Sequence, residues 1–298
     1  MTRLIAMLIL AANVMAQEVN FSVTDLDGKT AEHEFVFSTY LTSDRGEQLA
    51  YPGGEIDIEI QGTWRSHQTR TKSDSGGVVA NAVIKDGESW AKMAGSKLTF
   101  EQYPFTIEQL NDKSYSWKLD HAKGGHEIEA DFRPWRIKER TDIVNDMVMI
   151  WQPALLPPLP EGPVNVGDTW TGESTVELPF YKLGARKKKF RFDYKSTLTL
   201  KSVKEKKGSK IAQIEEKREI TAYYGWIETV NFSVLLVEGT GSGLANWEID
   251  ATRGLVNKAD YIMTVNRPIL QRYGHSHAVP DANSNLNLLC QIKLKKLK

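Results

Sequence analysis

Apolar and polar residues alternate with a period of two over most of this chain. Ile56, Ile58, Ile60 and Trp64 share one parity, with Glu55, Asp57, Glu59 and Gln61 on the other. Tyr115, Trp117 and Leu119 alternate with Ser116 and Lys118, and Phe190, Phe192, Tyr194, Leu198 and Leu200 with Arg191, Asp193, Lys195 and Thr199. The pattern returns at Ala245, Trp247 and Ile249, and at Ala259, Tyr261, Met263 and Val265. Successive side chains of a strand point to opposite faces, so each run predicts a strand with one buried and one wetted face. Leu286, Leu288, Cys290, Ile292 and Leu294 alternate and predict a last strand, with an amphipathic helix as the competing reading; on the strand Cys290 faces the core and is inert.

Turn signals separate the runs. Asp27-Gly28 and Asp86-Gly87 are hairpin-type dipeptides, and Lys207-Gly208 and Lys123-Gly124-Gly125 suit reversals. Asp250-Ala251-Thr252-Arg253-Gly254 predicts a short hairpin loop in which glycine supplies a positive φ. One segment departs from the alternation: Ile137, Val144, Met147, Val148 and Trp151 recur nearer to helical spacing, and Pro153 ends the run. The fold class expected is mainly β, with large curved antiparallel sheets, half-barrel or sandwich-like, and one central helix. Five prolines between Pro153 and Pro163 form a stiff connector. The expected division is therefore a leader (1–16), a β-rich half ending in the helix (17–152), the connector (153–163) and a second β-rich half (164–298).

The leader rests on Arg3, the apolar run Leu4–Ala12 and the cleavage pattern Val14-Met15-Ala16 before Gln17. It predicts a signal peptide and a secreted or periplasmic product. No apolar segment is long enough for a membrane helix, which gives the expectation of no transmembrane span. An outer-membrane barrel is further disfavoured by the polar outer faces and the Lys298 terminus. Lys plus Arg and Asp plus Glu are 38 each, so the surface gives no reason to expect nucleic acid as a partner. A single cysteine, Cys290, excludes an internal disulfide and is ordinary in a bacterial envelope protein.

The stretch Leu159-Pro160-Glu161-Gly162-Pro163-Val164-Asn165-Val166-Gly167-Asp168-Thr169-Trp170, with Gly239-Thr240-Gly241-Ser242-Gly243 and Asp250–Val256 after it, resembles a family of secreted bacterial proteins of unknown function. The resemblance implies location and β-fold over the second half and carries no catalytic residues. Physically, Val164 and Val166 are expected to start a strand, Gly167-Asp168 to turn, and Trp170 to anchor the turn by packing.

Candidate chemistry is sparse. On a strand His275 and His277 would share a face and could reach one metal ion with Asp281. His121 and His126 flank a four-residue stretch and would face each other across a hairpin, with Asp120 and Glu127 on the opposite face. Basic stretches at Arg186–Lys189, Lys201–Lys210 and Lys293–Lys298 read as solvated strand edges, with contact to a polyanion or lipid headgroup as the alternative. The nucleophile elbow, the phosphate loop and the dinucleotide fingerprint are all missing from the sequence. These observations assign no catalytic, cofactor or metal residues and lead to a non-enzymatic exported protein that binds an apolar ligand, a lipid or lipidated chain. The alternatives are a structural or protein-interaction module of the envelope, and a metal-dependent hydrolase at His275/His277.

Overall fold

The computed structural model describes residues 18–21, 30–43, 56–72, 78–93, 96–97, 112, 114–120, 125–129, 157–179, 189–223, 226–228, 232–236, 239–273 and 282–297. Among these there is no helix; the expected helix at 137–151 lies outside the described residues. The strands are β1 (Thr30–Ser43), β2 (Ile56–Lys72), β3 (Val78–Met93), β4 (Ser96–Lys97), β5 (Ser114–Asp120), β6 (Gly125–Glu129) and β7 (Thr169–Pro179). The second half continues with β8 (Lys189–Lys206), β9 (Ser209–Tyr223), β10 (Trp226–Glu228), β11 (Phe232–Leu236), β12 (Gly239–Asp250), β13 (Leu255–Tyr273) and β14 (Ala282–Lys296).

All fourteen belong to one sheet, and strands from both sides of the proline-rich connector are joined in it. The sheet goes beyond the expected half-barrel, because it closes. β14 pairs with β1 on one side and with β13 on the other, so the ring runs β1, β2, β3, β5, β6, β7, β8, β9, β12, β13, β14 and back to β1. Closure gives every strand of this ring a neighbour on both sides. Every pairing is antiparallel except β6 with β7, which run parallel with Gly125 opposite Glu173.

The alternation read from sequence becomes inside and outside. Phe35, Ile60, Trp64, Leu198, Trp247, Tyr261, Ile292 and Leu294 are buried within the ring. Their neighbours Glu34, Arg65, Thr197, Glu248, Asp260 and Lys293 face out. One end of the ring is covered. Val19 bridges Val164 in both directions at 2.8 and 2.9 Å, Lys210 Nζ donates to Glu18 O at 3.0 Å, and Val19, Phe21, Leu159 and Val164 are buried there.

Glycines act at particular points. Lys206 pairs with Ser209, so Lys207 and Gly208 form a two-residue turn with φ of 51° and 79°, the combination a type I′ hairpin needs. Gly254 at φ 60° closes the β12–β13 hairpin as expected. Asp86-Gly87, expected as a hairpin, is instead a bulge inside β3. Thr63 pairs with Glu88 and Arg65 with Lys85, so Asp86 and Gly87 together oppose Trp64, and Asp86 takes φ 49°. The local chemistry of a tight turn and of a bulge is the same, since both need a left-handed residue; the long pairing on either side decides between them.

At Gly241 a Cβ would lie 2.2 Å from Thr264 O and 3.0 Å from Val265 Cα, both backbone atoms of the neighbouring strand. Gly241→Ala is therefore expected to lower stability by about 1–3 kcal/mol through overpacking. A urea midpoint equal to that of the wild type would show that the two strands can part without loss.

Candidate functional site

The most elaborate side-chain cluster lies in the wall of the ring where β8, β9, β12 and β13 meet. Strand parity puts Ala212, Ile214, Glu216, Arg218 and Ile220 of β9 on the inner face, so two opposite charges enter the core two residues apart. Glu216 is 0% exposed. Its Oε1 accepts from Ser196 Oγ and Arg218 Nε, and its Oε2 accepts from Arg218 Nη2 at 2.9 Å and Trp247 Nε1 at 2.7 Å. The guanidinium stacks near three rings, its Cζ 4.7 Å from the centre of Tyr261, 4.8 Å from Tyr194 and 5.8 Å from Trp247.

A buried ion pair needs this degree of saturation, because desolvating both charges otherwise costs more than their attraction returns. Burial alone would lower the pKa of Arg218, but Glu216 and the two tyrosines outweigh it and the guanidinium is held charged. Burial pushes the Tyr194 phenol up to about 12 and raises Tyr261 as well, so neither ring ionises. The carboxylate has four donors on it and lies wholly inside, so the cluster presents nothing for a substrate to meet. Its chemistry is that of a lock across four strands.

A second buried polar group sits at the covered end. His33 of β1 donates from Nε2 to Val256 O at 2.9 Å, and Arg70 of β2 donates from Nη1 to Gly254 O at 2.9 Å. The two side chains thereby hold the β12–β13 hairpin against β1 and β2. Burial lowers the His33 pKa to about 4, opposed by its bond to Val256 and reinforced by Arg70 and Lys296. It lowers Arg70 to about 10. A folded pKa below the ordinary 6.5 of histidine means that the unfolded chain binds the proton more readily. The neutral ring's contribution is thus complete above pH 6.5 and is lost as pH falls from 6.5 to about 4. On that interval wild type is expected to lose on the order of 3 kcal/mol from this group. His33→Gln should flatten the slope of urea midpoint against pH; an unchanged slope would assign the acid sensitivity elsewhere.

The residues singled out in sequence fall in different places. His275, His277, Asp281 and His121 lie outside the described residues. In the register of β5 and β6, Asp120 pairs with Gly125 and Leu119 stands opposite His126. Cys290 is buried, accepts from Thr39 Oγ1 at 3.4 Å, and has its thiol pushed up to about 12 by burial. Val166 does not start a strand. Asn165 to Asp168 form a turn, closed by Asp168 N to Asn165 O at 2.9 Å, with Gly167 at φ 97° and Val166 44% exposed. The anchoring role of Trp170 has a defined geometry. Its Nε1 donates to Pro158 O at 3.0 Å and its ring lies 6.3 Å from Phe21, which ties the proline-rich segment to the start of β7. Among the described residues no three His, Cys, Asp or Glu side chains gather to hold a metal ion.

Neither a family model nor a curated protein matches this chain. Solved structures do, loosely. An outer membrane channel from Pseudomonas putida F1 is 9% identical, covering 93% of this chain and 99% of its own, with a TM-score of 0.24. The outer membrane protein OprD from Pseudomonas aeruginosa is 9% identical over 94% of this chain and 97% of its own, with a TM-score of 0.21. Pseudomonas aeruginosa OpdQ is 9% identical over 91% and 100%, with a TM-score of 0.21. At such TM-scores the chains do not superpose as one fold, and no function passes from them to this protein. One expectation is corrected by the fold itself. The expectation of no transmembrane span rested on the lack of a long apolar helix, which says nothing of a chain that crosses a membrane with strands; the strands here close into a ring, and the expectation does not stand.

Proposed function

We propose that the protein is a non-enzymatic β-barrel module exported to the cell envelope, and that it works through the outer wall of its barrel. The observation that carries this reading is the filled interior. Phe35, Phe37, Ile60, Ile84, Trp247, Tyr261 and Arg70 are the largest side chains under 2% exposed, and they occupy the ring from its covered end to the Glu216–Arg218 lock. A carrier of an apolar ligand needs a cavity lined by such groups; among the described residues Phe35 and Phe37 pack on Trp64, and the Arg218 guanidinium packs on Trp247 and Tyr261. A structural or interaction module needs a rigid core and a surface, which is the arrangement these residues support. The amino-terminal leader and the resemblance to secreted proteins support export. The hydrolase alternative draws no support from the described residues.

Native mass spectrometry of the protein purified from its own host is the test. The mass of the mature polypeptide alone is expected. A stoichiometric lipid that survives purification would overturn the reading and return the function to the lumen.

A further inference from the structure

The outer wall is not uniform. On four adjacent strands, β12, β13, β14 and β1, the outward positions within 240–244, 262–266, 287–291 and 38–42 carry no charge. There are three on each strand, twelve together, in a chain of which 26% of residues are charged. Charge returns at Lys217 and Glu219 on β9, at Glu59 on β2, and at Asp260 and Lys293 toward the covered end, where the outward residues of β12 and β1 beside them, Asn246 and Val36, are uncharged. A diagonal of apolar side chains crosses this rectangle. Leu244 pairs with Ile262, Leu289 pairs with Tyr40, and the four are exposed at 53%, 36%, 38% and 41%. Beside the diagonal, hydroxyls and carboxamides are aligned by the register. Ser242 and Thr264 hydroxyls lie 3.3 Å apart, and Asn266 Nδ2 donates to Asn287 Oδ1 at 2.7 Å.

We infer that this rectangle binds a neutral polysaccharide strand. The inference rests on the reading that the outer wall is the working surface, and it names the partner. Strand spacing of about 4.8 Å and a repeat of about 6.7 Å along each strand give the rectangle roughly 400 Å². A stable protein interface takes about 800 Å² from each partner, so a second copy or another folded protein is under-served. A membrane surface would draw on a wider apolar face or on basic residues, and the rectangle has neither. A neutral sugar chain has apolar ring faces rimmed by hydroxyls. It meets an exposed tyrosine and aliphatic ridge with the first and fixed amide and hydroxyl groups with the second, and it brings no charge to a surface that has none.

The test uses the full mature chain. Retention on cellulose, chitin and starch granules, and retardation in gels containing dextran, are measured at low and high salt. Retention by at least one of these, unchanged by salt, is expected. Tyr40→Ala and Asn287→Ala should each weaken it about tenfold with urea midpoints unchanged, while Lys206→Ala on the distant β8–β9 hairpin leaves it intact. Failure of all four glycans to retain the protein overturns the inference. So does retention that salt abolishes and the wall variants do not affect. A dimer in sedimentation that Tyr40→Ala dissolves would assign the rectangle to a second copy instead. These outcomes leave the module reading standing, which only a lipid in the lumen removes.

Discussion

Glu216→Gln is expected to lower the free energy of unfolding by about 3–5 kcal/mol, the loss seen when one member of a buried ion pair is removed. The reason is local. Arg218 is 2% exposed, and the carboxylate is the anion that holds its guanidinium among the rings of Tyr194, Tyr261 and Trp247. Glutamine keeps the shape but removes the charge, and its amide group meets the donors of Arg218, Ser196 and Trp247 with one acceptor oxygen in place of two. The double variant Glu216→Gln, Arg218→Met should recover much of the loss, because it also removes the stranded cation. Urea unfolding of the single and double variants measures both. A double variant as unstable as Glu216→Gln would place the cost in lost hydrogen bonds to Ser196 and Trp247, with the charge irrelevant.

That lock was present in the sequence but masked. Between Ile211 and Ile220 the inner parity reads Ala212, Ile214, Glu216, Arg218, Ile220, and charge on both parities hides the alternation. The usable signal was opposite charges two residues apart within a run whose flanks keep one apolar parity. By contrast, Trp247 and Ile292 were legible at once, because a half-buried strand must alternate and their neighbours Asn246, Glu248, Gln291 and Lys293 are polar. His33 and Arg70 were unreadable, since each is defined by a carbonyl of a hairpin more than 180 residues away. Closure was also beyond local reading. It depends on β14 reaching β1 and β13 together, a pairing that no propensity within Ala282–Lys296 encodes. The uncharged rectangle shares this property. Thr42, Asn266 and Asn287 are scattered in sequence and become a row only through register.

Trp64→Ala is expected to cost about 3–5 kcal/mol, the usual loss for a buried tryptophan. The indole is 2% exposed, stacks on Phe35 with ring centres 4.6 Å apart and planes at 4°, and meets Phe37 at 5.6 Å and 60°. The backbone has accommodated it. The bulge at Asp86-Gly87 stands directly opposite, and Gly62 lies under the Phe37 ring, where a Cβ would come within 2.4 Å of Cε1. Trp64→Phe keeps an aromatic stack and should lose markedly less, on the order of 1 kcal/mol. Deleting Asp86 separates the aromatic packing from the bulge. With Asp86 gone, Arg65 still pairs with Lys85 and Thr63 with Glu88, and Gly87 alone stands opposite Trp64, so the residues on either side keep their partners and their faces. The deletion is therefore expected to cost less than Trp64→Ala, because it removes no aromatic contact and leaves the register of β2 against β3 intact. A deletion variant as unstable as Trp64→Ala would show instead that the bulged backbone itself is what makes room for the indole.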